Sequence, residues 1–443
     1  MGINMGNTLA VLGGRPLVDT SLKVGWPIVT EADKRAVMKV LDDGPLWALS
    51  TEGGLVAPEM SALEREFAEY VGVAHALACN GGTAAIHMAL AAAGVGPGDE
   101  VITSAFSFLA TPVAVLHQSA VPVFADIDPR TFNIDPADVE RKITPRTKAI
   151  IPVHIHGVCA DMDAINAIAR RHGLVVIEDA CQAPGARYKG RRAGSLAEMA
   201  AFSLNGTKNF PVGEGGLFVT NDGTYRARAN MVRMVGETLP ASDPTMEFQH
   251  LIAWNYRTQE MPSAFARSQL RRLDSYNAHA RANGEALTRQ LSHVKGVEPP
   301  YVPPDCEPIY HKYRIRLRPD ALDLPLGGTA FRDVAEEALK AEGVDVTTWL
   351  RAPLPAHPIL QVREGYGRGY PWTVSHAHYV YNVADYPKTQ ELVDNSLVIC
   401  SELNPMCCQP PALIEQYGEA IAKVFGDRDA LLAAGERLVR TQQ

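Results

Sequence analysis

The sequence lacks the features that would assign it to several common protein classes. Its seven cysteines form no Cys-x-x-Cys pair and show no regular spacing, which argues against a disulfide framework or a zinc site. No block of Lys and Arg is interleaved with aromatic residues, and the formal net charge is -8, so nucleic acid is not an expected partner. No apolar run is long enough to span a bilayer, and the N-terminus lacks the basic start and apolar stretch of a secretory signal. We therefore expect a reduced, cytoplasmic protein with no membrane segment and no metal site.

The composition is that of an ordinary globular protein. Hydrophobic residues make up 46% of the chain and charged residues 21%. A chain of 443 residues is long enough for more than one domain and for a large core.

The first part of the chain alternates short apolar runs with helical patterns. The runs HALACN, DEVITSAF, VPVFADID, KAIIPVHIHG and LVVIEDA are rich in β-branched residues, and amphipathic segments separate most of them. This alternation is typical of a mainly parallel sheet that is covered by helices on both faces. We predict a large α/β domain at residues 1–265, which begins with an irregular N-terminal arm.

The pattern changes after residue 265. A long helical stretch leads out of the first domain, and four prolines punctuate residues 299–304. We interpret HKYRIRLR as an edge strand, FRDVAEEALKAEG as a helix, LVDNSLVICS as a short strand and IEQYGEAIAKVF as the last helix. These elements predict a smaller C-terminal α+β domain at residues 266–443.

The stretch FSLNGTKNFPVGEGG combines groups that one cofactor requires together. Lys208 stands five residues after Ser203 and just before a glycine-rich turn. A lysine that loses its proton forms imines with carbonyl compounds, a serine hydroxyl can bind phosphate, and glycines allow close approach of the backbone to a ligand. Pyridoxal phosphate, with its aldehyde and its phosphate, needs all three. A surface turn with a solvated Lys208 is the alternative interpretation.

Further candidate ligands follow the ends of predicted strands, where doubly wound sheets bind ligands. Thr83 lies in a glycine-rich turn at the head of a helix, a position that favours phosphate or serves as a simple cap. Asp179 ends the strand LVVIED and could keep a pyridine nitrogen protonated, or be a solvated turn acid. Gln182 could donate to the ring's phenolic oxygen or be a polar residue at a helix start, and Phe108 could stack on the ring or belong to the core. Each signal is weak alone, but their order along the chain makes coincidence improbable.

With these residues in place, the sequence resembles the DegT/StrS-type sugar aminotransferases, which are pyridoxal phosphate enzymes of fold type I, the aspartate aminotransferase-like superfamily. The segments that carry the resemblance are GGTAAIHMAL, GDEVITSAFSF, PVHIHGVCADMDAI, VIEDACQAPGARYKGRRAG, FSLNGTKNFPVGEGG and WNYRTQEMPSAFARSQL. They cover residues 30–275 densely and the remainder loosely. The resemblance implies the same fold and the same cofactor.

The resemblance also implies a role for each matching residue. Lys208 would form the imine with the cofactor, and Asp179 would pair with the pyridine nitrogen. The other implied cofactor contacts are the ring residues Phe108 and Gln182 and the phosphate residues Gly82, Thr83, Ala84 and Ser203. Asn255, in the segment WNYR, would reach the phosphate bound by the neighbouring subunit. The implied assembly is therefore a homodimer with shared active sites.

The activity that the resemblance implies is transfer of an amino group from glutamate or glutamine to a keto sugar or ketocyclitol. One alternative is a related sugar dehydratase that uses pyridoxal or pyridoxamine phosphate, although such enzymes have histidine where this chain has Lys208. The other is a non-catalytic regulatory protein that retains the cofactor. We further predict substrate contacts from His156, Tyr310, His311 and His357, and from the segment 365–385 through Tyr366, Trp372, His376 and Tyr379.

Overall fold

The computed structural model describes residues 8–46, 49–51, 54–236, 251–374 and 379–442. Within these residues, one large sheet and one smaller sheet each carry a hydrophobic core. No helix in this part of the chain combines the length and the apolar character that a bilayer crossing needs.

The strands are short and occur along most of the chain. They are β1 Leu49–Thr51, β2 Gly54–Val56, β3 His75–Cys79, β4 Glu100–Ser104, β5 Val121–Ala125, β6 Thr147–Ile151, β7 Val175–Asp179, β8 Arg187–Tyr188, β9 Arg191–Arg192, β10 Met199–Ser203, β11 Gly216–Thr220, β12 Val297–Glu298, β13 Cys306–Glu307, β14 Tyr313–Leu317, β15 Val346–Thr347 and β16 Ser396–Ile399.

The helices alternate with these strands in the first half and predominate afterwards. They are α1 Glu31–Asp43, α2 Pro58–Val71, α3 Gly82–Ala92, α4 Ala110–His117, α5 Pro136–Lys142, α6 Met162–His172, α7 Gly223–Arg233, α8 Glu260–Leu291, α9 Gly328–Ala341, α10 Pro358–Val362, α11 Pro387–Asp394, α12 Pro411–Gly426 and α13 Arg428–Gln442.

The large sheet has seven strands in the order β3-β11-β10-β7-β6-β4-β5. Strands β10, β7, β6, β4 and β5 pair in parallel, and β11 runs antiparallel to both of its neighbours. Side chains alternate between two cores: Ala76 and Ala78 of β3 face one cluster, while Leu77 and Cys79 face the other. Helices cover both faces, so the predicted α/β class and mainly parallel sheet are confirmed.

The helix boundaries follow from local sequence signals. Thr30 and Asp33 form a capping box at the start of α1, because the Thr30 backbone N–H donates to the Asp33 carboxylate. Pro58 begins α2, and Gly72 ends it in the left-handed conformation with φ of 85°. Local residues therefore set the start of α1 and both ends of α2.

The smaller sheet has the strand order β12-β14-β16-β15. The interpretation of HKYRIRLR as an edge strand was wrong, because β14 pairs on one side with β12 and on the other with β16. The run LVDNSLVICS forms a strand only from Ser396 onward, since its first residues end α11. The helix over IEQYGEAIAKVF is also not the last, because α13 follows it.

Two features connect the halves of the molecule. Helix α8 is 32 residues long and packs on α1 and α2 near its start and on α12 further along. The N-terminal arm packs into the core of the smaller sheet through Leu9, Val18 and Trp26, although it precedes the large sheet in the sequence. The division at residue 265 stays a prediction.

Candidate active site

A pocket of about 380 Å³ lies where β7 and β10 end and α3 begins. Of the predicted site residues, those that line it are Gly82, Thr83, Phe108, Asp179, Gln182, Ser203 and Lys208. These residues come from separate loops, and the sheet brings them together because the carboxyl ends of parallel strands meet at one edge.

The turn before α3 packs tightly against the end of β10. A Cβ atom added at Gly82 would come within 2.8 Å of the Ser203 Cβ and 3.0 Å of the Cys181 sulfur. A Cβ at Gly216, the last glycine of the GEGG turn, would collide with the Gly81 carbonyl. Glycine at these positions therefore lets three backbone segments converge and leaves a narrow cradle between the start of α3 and the end of β10 in the pocket wall.

Asp179 is held at the inner end of the pocket. Its side chain is buried, one carboxylate oxygen accepts a hydrogen bond from the Thr111 hydroxyl at 2.7 Å, and the other accepts from the Cys181 N–H at 3.2 Å. The neighbouring Glu178 points away from the pocket and accepts from the Gly194 N–H. Alternation along the strand thus gives the two carboxylates separate surroundings.

Gln182 links the pocket to His156 and Arg314, two buried basic residues below it. Its side-chain oxygen accepts the His156 backbone N–H at 2.9 Å, which leaves its NH₂ group for a ligand. The His156 ring accepts from the Arg314 Nε at 3.0 Å. Burial, followed by the charges of Arg314 and Lys312, lowers the pKa of His156 well below its usual value, so the ring is neutral.

Lys208 sits on a loop that is anchored at its backbone. Its N–H donates to the Asn205 carbonyl at 2.9 Å, and its own carbonyl accepts from the Trp26 indole at 3.1 Å. The half-buried side chain lines the pocket. Phe108 also lines it and is 58% exposed, which is unusual for a phenylalanine and leaves the ring accessible to a ligand.

The pocket residues that were not identified from the sequence include Thr111, which bonds to Asp179, and three residues from the second half of the chain: Lys312, Trp349 and Glu402. The Lys312 ammonium lies 2.8 Å from a Glu402 oxygen and 5.3 Å from the centre of the Trp349 ring. Burial lowers the pKa of Lys312 to about 8, although the Glu402 carboxylate opposes the shift. The basic cluster HKYRIR was a visible signal for Lys312, but no motif marks the other two.

Several predicted residues do not line this pocket. His156 and His311 are buried below it, and Ala84 belongs to the core behind the α3 turn. Tyr310 packs its ring against Gly284 of α8, and His357 begins α10 on the surface.

The described parts of the segment 365–385, residues 365–374 and 379–385, lie against the large sheet, away from the pocket lining. Tyr366 contacts His117 of α4 at 3.0 Å, and Trp372 is buried and donates to the Tyr381 hydroxyl. Tyr379 packs with the same cluster of aromatic side chains. His376 lies outside the described residues.

Residues 31–396 match the sequence profile of the DegT/DnrJ/EryC1/StrS aminotransferase family. The chain belongs to this family. Membership implies an aminotransferase that depends on pyridoxal phosphate, as the resemblance of the motifs predicted. Among the described residues, no cluster of His, Cys, Asp and Glu side chains could hold a metal ion.

The relatives of this chain carry names that point to different functions. The chain is 40% identical to a "Pleiotropic regulatory protein" of Geobacillus stearothermophilus, over 73% of this chain and 82% of the relative. It is 37% identical to an "L-glutamine:2-deoxy-scyllo-inosose aminotransferase" of Streptoalloteichus tenebrarius, over 75% of this chain and 78% of the relative. The solved structure of DesI in the presence of its TDP-sugar product aligns with a TM-score of 0.77 at 25% identity, and covers 99% of this chain and 100% of DesI.

Proposed function

We propose that this protein transfers an amino group from glutamate or glutamine to a polyhydroxylated ring ketone, either a keto sugar or a ketocyclitol, with pyridoxal phosphate as cofactor. The observation that carries the proposal is the convergence of Lys208, Asp179 and the glycine-lined cradle in one pocket. Such an enzyme would serve the synthesis of amino sugars, aminocyclitols or related secondary metabolites.

The pocket fits the cofactor at each of its polar ends. The cradle beside Ser203 and the N-terminus of α3 suits a phosphate, because a Cβ at Gly82 would fill it and the helix dipole favours an anion. Phe108 offers a ring face, and the Gln182 NH₂ offers a donor. When bound, the cofactor supplies an aldehyde that links to lysine and a pyridine ring that accepts electrons.

Asp179 would hold a proton on the pyridine nitrogen. Hydrogen bonds from Thr111 and from the Cys181 N–H stabilise its ionised form, which is the form that can pair with a protonated ring nitrogen. Burial excludes water from this pair and strengthens it.

Lys208 would both carry the cofactor and move the substrate proton. An amino substrate would displace the Lys208 amine from the cofactor. Because the side chain is flexible, the freed amine could then act as the base that takes the proton from the substrate's α-carbon. Lys312 also lines the pocket, but its ammonium is engaged by Glu402 at 2.8 Å. We therefore assign the covalent link to Lys208.

The names of two relatives support the substrate class. One relative is named for L-glutamine and a ketocyclitol, and DesI is described with a TDP-sugar product. Together they suggest an amino acid donor and a ring ketone acceptor for this chain. The segment 365–385 could still border the acceptor in the assembled protein.

A regulatory protein that retains the cofactor is a second candidate. The name of the Geobacillus stearothermophilus relative favours it. This candidate differs from the aminotransferase in one measurable respect, because its bound cofactor would not react with an amino donor.

We further propose a cytoplasmic homodimer in which Asn255 reaches the neighbouring active site. The side chain of Asn255 is exposed, as a residue that contacts a second subunit requires. Asn255 lies on the short segment that pairs with Met234 after α7.

The lysine assignment can be tested by borohydride reduction of the cofactor-loaded protein, followed by peptide mapping. We expect the cofactor on Lys208, and on no lysine in Lys208→Ala. The matched variant Lys312→Met should keep the label on Lys208. Recovery of the label on Lys312 in the parent protein would refute the assignment.

The activity can be tested by following cofactor absorbance after addition of L-glutamate or L-glutamine. We expect the band of the lysine-linked cofactor to disappear and to return when a keto sugar or ketocyclitol is added. A band that persists with both donors would refute the aminotransferase and favour the regulatory candidate.

A further inference from the structure

One wall of the pocket carries none of the residues assigned above to the cofactor. It is formed by Lys312, Trp349 and Glu402, from the second half of the chain, and it faces the loop that carries Lys208. The charge of Lys208 contributes to the pKa of both Lys312 and Glu402, so this wall is close enough to contact a substrate that reacts at Lys208.

Glu402 is the accessible member of the ion pair. Its side chain is 45% exposed, whereas that of Lys312 is 3% exposed. Both side chains line the pocket, and the carboxylate is the more accessible of the two charged groups. Although burial raises the pKa of Glu402, the charge and hydrogen bond of Lys312 outweigh that effect and hold it below the usual value. Glu402 is thus an ionised acceptor fixed in one place.

Trp349 is held beside this carboxylate by its own contacts. Its ring lies 5.1 Å from the His156 ring and 5.6 Å from the Phe106 ring, both edge to face. The backbone of Trp349 has φ of 41°, a left-handed conformation that bulky residues rarely adopt and that often marks functional sites. The half-buried indole presents a flat apolar surface at the pocket.

A carboxylate next to an aromatic ring suits a polyhydroxylated ring. Hydroxyl groups donate to an ionised acceptor more strongly than to a neutral one, and the C–H face of the ring can pack on an indole. A donor amino acid suits this wall less well, because its own carboxylate would be repelled by Glu402. The wall therefore favours the acceptor over the donor.

We propose that Glu402 and Trp349 form the subsite for the acceptor, in which Glu402 binds ring hydroxyls and Trp349 packs on the ring's C–H face. Lys312 is a positioning residue that keeps Glu402 in place. This inference rests on the proposed aminotransferase function, and it adds the residues that select the acceptor.

The test separates the two half-reactions in the cofactor-loaded protein. The donor step is followed by loss of cofactor absorbance with L-glutamine and L-glutamate. The acceptor step is followed by its return with 2-deoxy-scyllo-inosose and with TDP-linked keto sugars. In Glu402→Gln we expect kcat/KM for the acceptor step to fall about 10- to 100-fold, as for loss of a hydrogen bond to a charged group. The donor step should change less than about threefold.

A binding measurement supplies a readout independent of turnover. scyllo-Inositol is a ring polyol without a ketone, and it should compete with the acceptor in the parent protein. Its inhibition constant should rise about tenfold or more in Glu402→Gln. Glu415→Gln, which removes an exposed glutamate on α12, is the charge-matched control and should alter neither step.

Lys312→Met distinguishes positioning from direct contact. Alone it should weaken the acceptor step, but in the Glu402→Gln background it should add little, because both changes remove the same interaction. Additive losses would refute the positioning role. If Glu402→Gln leaves both the acceptor kinetics and scyllo-inositol binding unchanged, the subsite is refuted, whereas the proposed aminotransferase function is not. A parent protein that reacts with the donors but with no ring ketone would refute both the proposed acceptor class and the subsite.

Discussion

Glu178 and Asp179 are neighbouring carboxylates at the end of β7, and they have different hydrogen-bond partners. Glu178 is fully buried and accepts from the Gly194, Leu196 and Ala197 N–H groups, so it fixes a loop. Asp179 accepts from the Thr111 hydroxyl and the Cys181 N–H and borders the pocket. The same residue class therefore fixes a loop on one face of the strand and borders the pocket on the other.

We expect Asp179→Asn to keep the fold and the cofactor but to lose most of its activity. An uncharged amide does not stabilise the positive charge of a protonated pyridine nitrogen, so the electron-accepting form of the ring would be lost. Steady-state kinetics should show kcat reduced by about 100-fold or more. A rate within a few fold of the parent would mean that Asp179 is only a structural acid.

The buried side chain of His87 should make the protein less stable as the pH becomes acidic. Burial lowers its pKa to about 4, and its ring is bonded to Tyr256 and Gln118. Because the unfolded state binds a proton at about pH 6.5, stability should fall as the pH drops from 6.5 towards 4, by about 2 kcal/mol at pH 5.

Denaturant unfolding at pH 7 and pH 5 tests this expectation. His87→Gln should lose less stability between the two pH values than the parent, whereas the surface variant His293→Gln should behave like the parent. Part of the acid loss should remain in His87→Gln, because burial also lowers the pKa of His156 and His311 well below the usual value. An unchanged pH response in His87→Gln would contradict the assignment.

Helix α11 lies in the second half of the chain, but the N–H groups at its start are capped by a residue from the first half. Asp126 follows β5, and its carboxylate accepts the N–H groups of Lys388 and Thr389 and the Thr389 hydroxyl. A buried carboxylate thus satisfies the free N–H groups at the start of α11 and ties it to the large sheet.

We expect Asp126→Ala to cost more stability than removal of a local cap. The substitution would leave several buried donors unpaired and detach the start of α11 from the large sheet. We expect the free energy of unfolding to fall by about 2–4 kcal/mol. The matched variant Asp222→Ala removes the cap that accepts the Thr224 and Tyr225 N–H groups within α7, and should cost about 1 kcal/mol. Urea unfolding of both variants checks the comparison, and equal losses would contradict the bridging role.

These elements also show what the sequence could predict. Apolar alternation and turn residues are local, so five of the seven strands of the large sheet were predicted, whereas β10 and β11 were not. Lys208 and Asp179 line one pocket, and their roles toward the cofactor stay predictions. Pairing partners are not local, so β14 was mistaken for an edge strand. Trp349 and Glu402 lie on separate loops without a motif, and only the packing of the smaller sheet brings them to Lys312.

At the scale of the whole molecule, Asn255 leads to the prediction that each active site uses two chains. Asn255→Asp would oppose the phosphate with a negative charge and should abolish activity, as should Lys208→Ala. When the two inactive variants exchange subunits, a mixed dimer has one site with both lesions and one with neither. Activity should therefore return in the mixture.

Subunit exchange must be verified separately, by mass spectrometry of differently tagged chains. With exchange established, a mixture that stays inactive would show that Asn255 serves its own chain. Mixing Lys208→Ala with Asp179→Asn is the matched control. Both lesions belong to one chain's own site, so this mixed dimer has one lesion in each site and should stay inactive.

The arm that places Trp26 against the Lys208 loop has a consequence for biosynthesis. Its hydrogen bonds join Val18 to Glu342, Val24 to Gln409 and Trp26 to Leu403, so during translation the arm waits for partners that are made more than 300 residues later. The strands of the large sheet lie between them in the sequence and can assemble earlier, whereas the arm can dock fully only after residue 409 has been synthesised. A nascent chain stalled before residue 400 should therefore have a protease-sensitive arm, and the Lys208 loop should become ordered only when the arm docks.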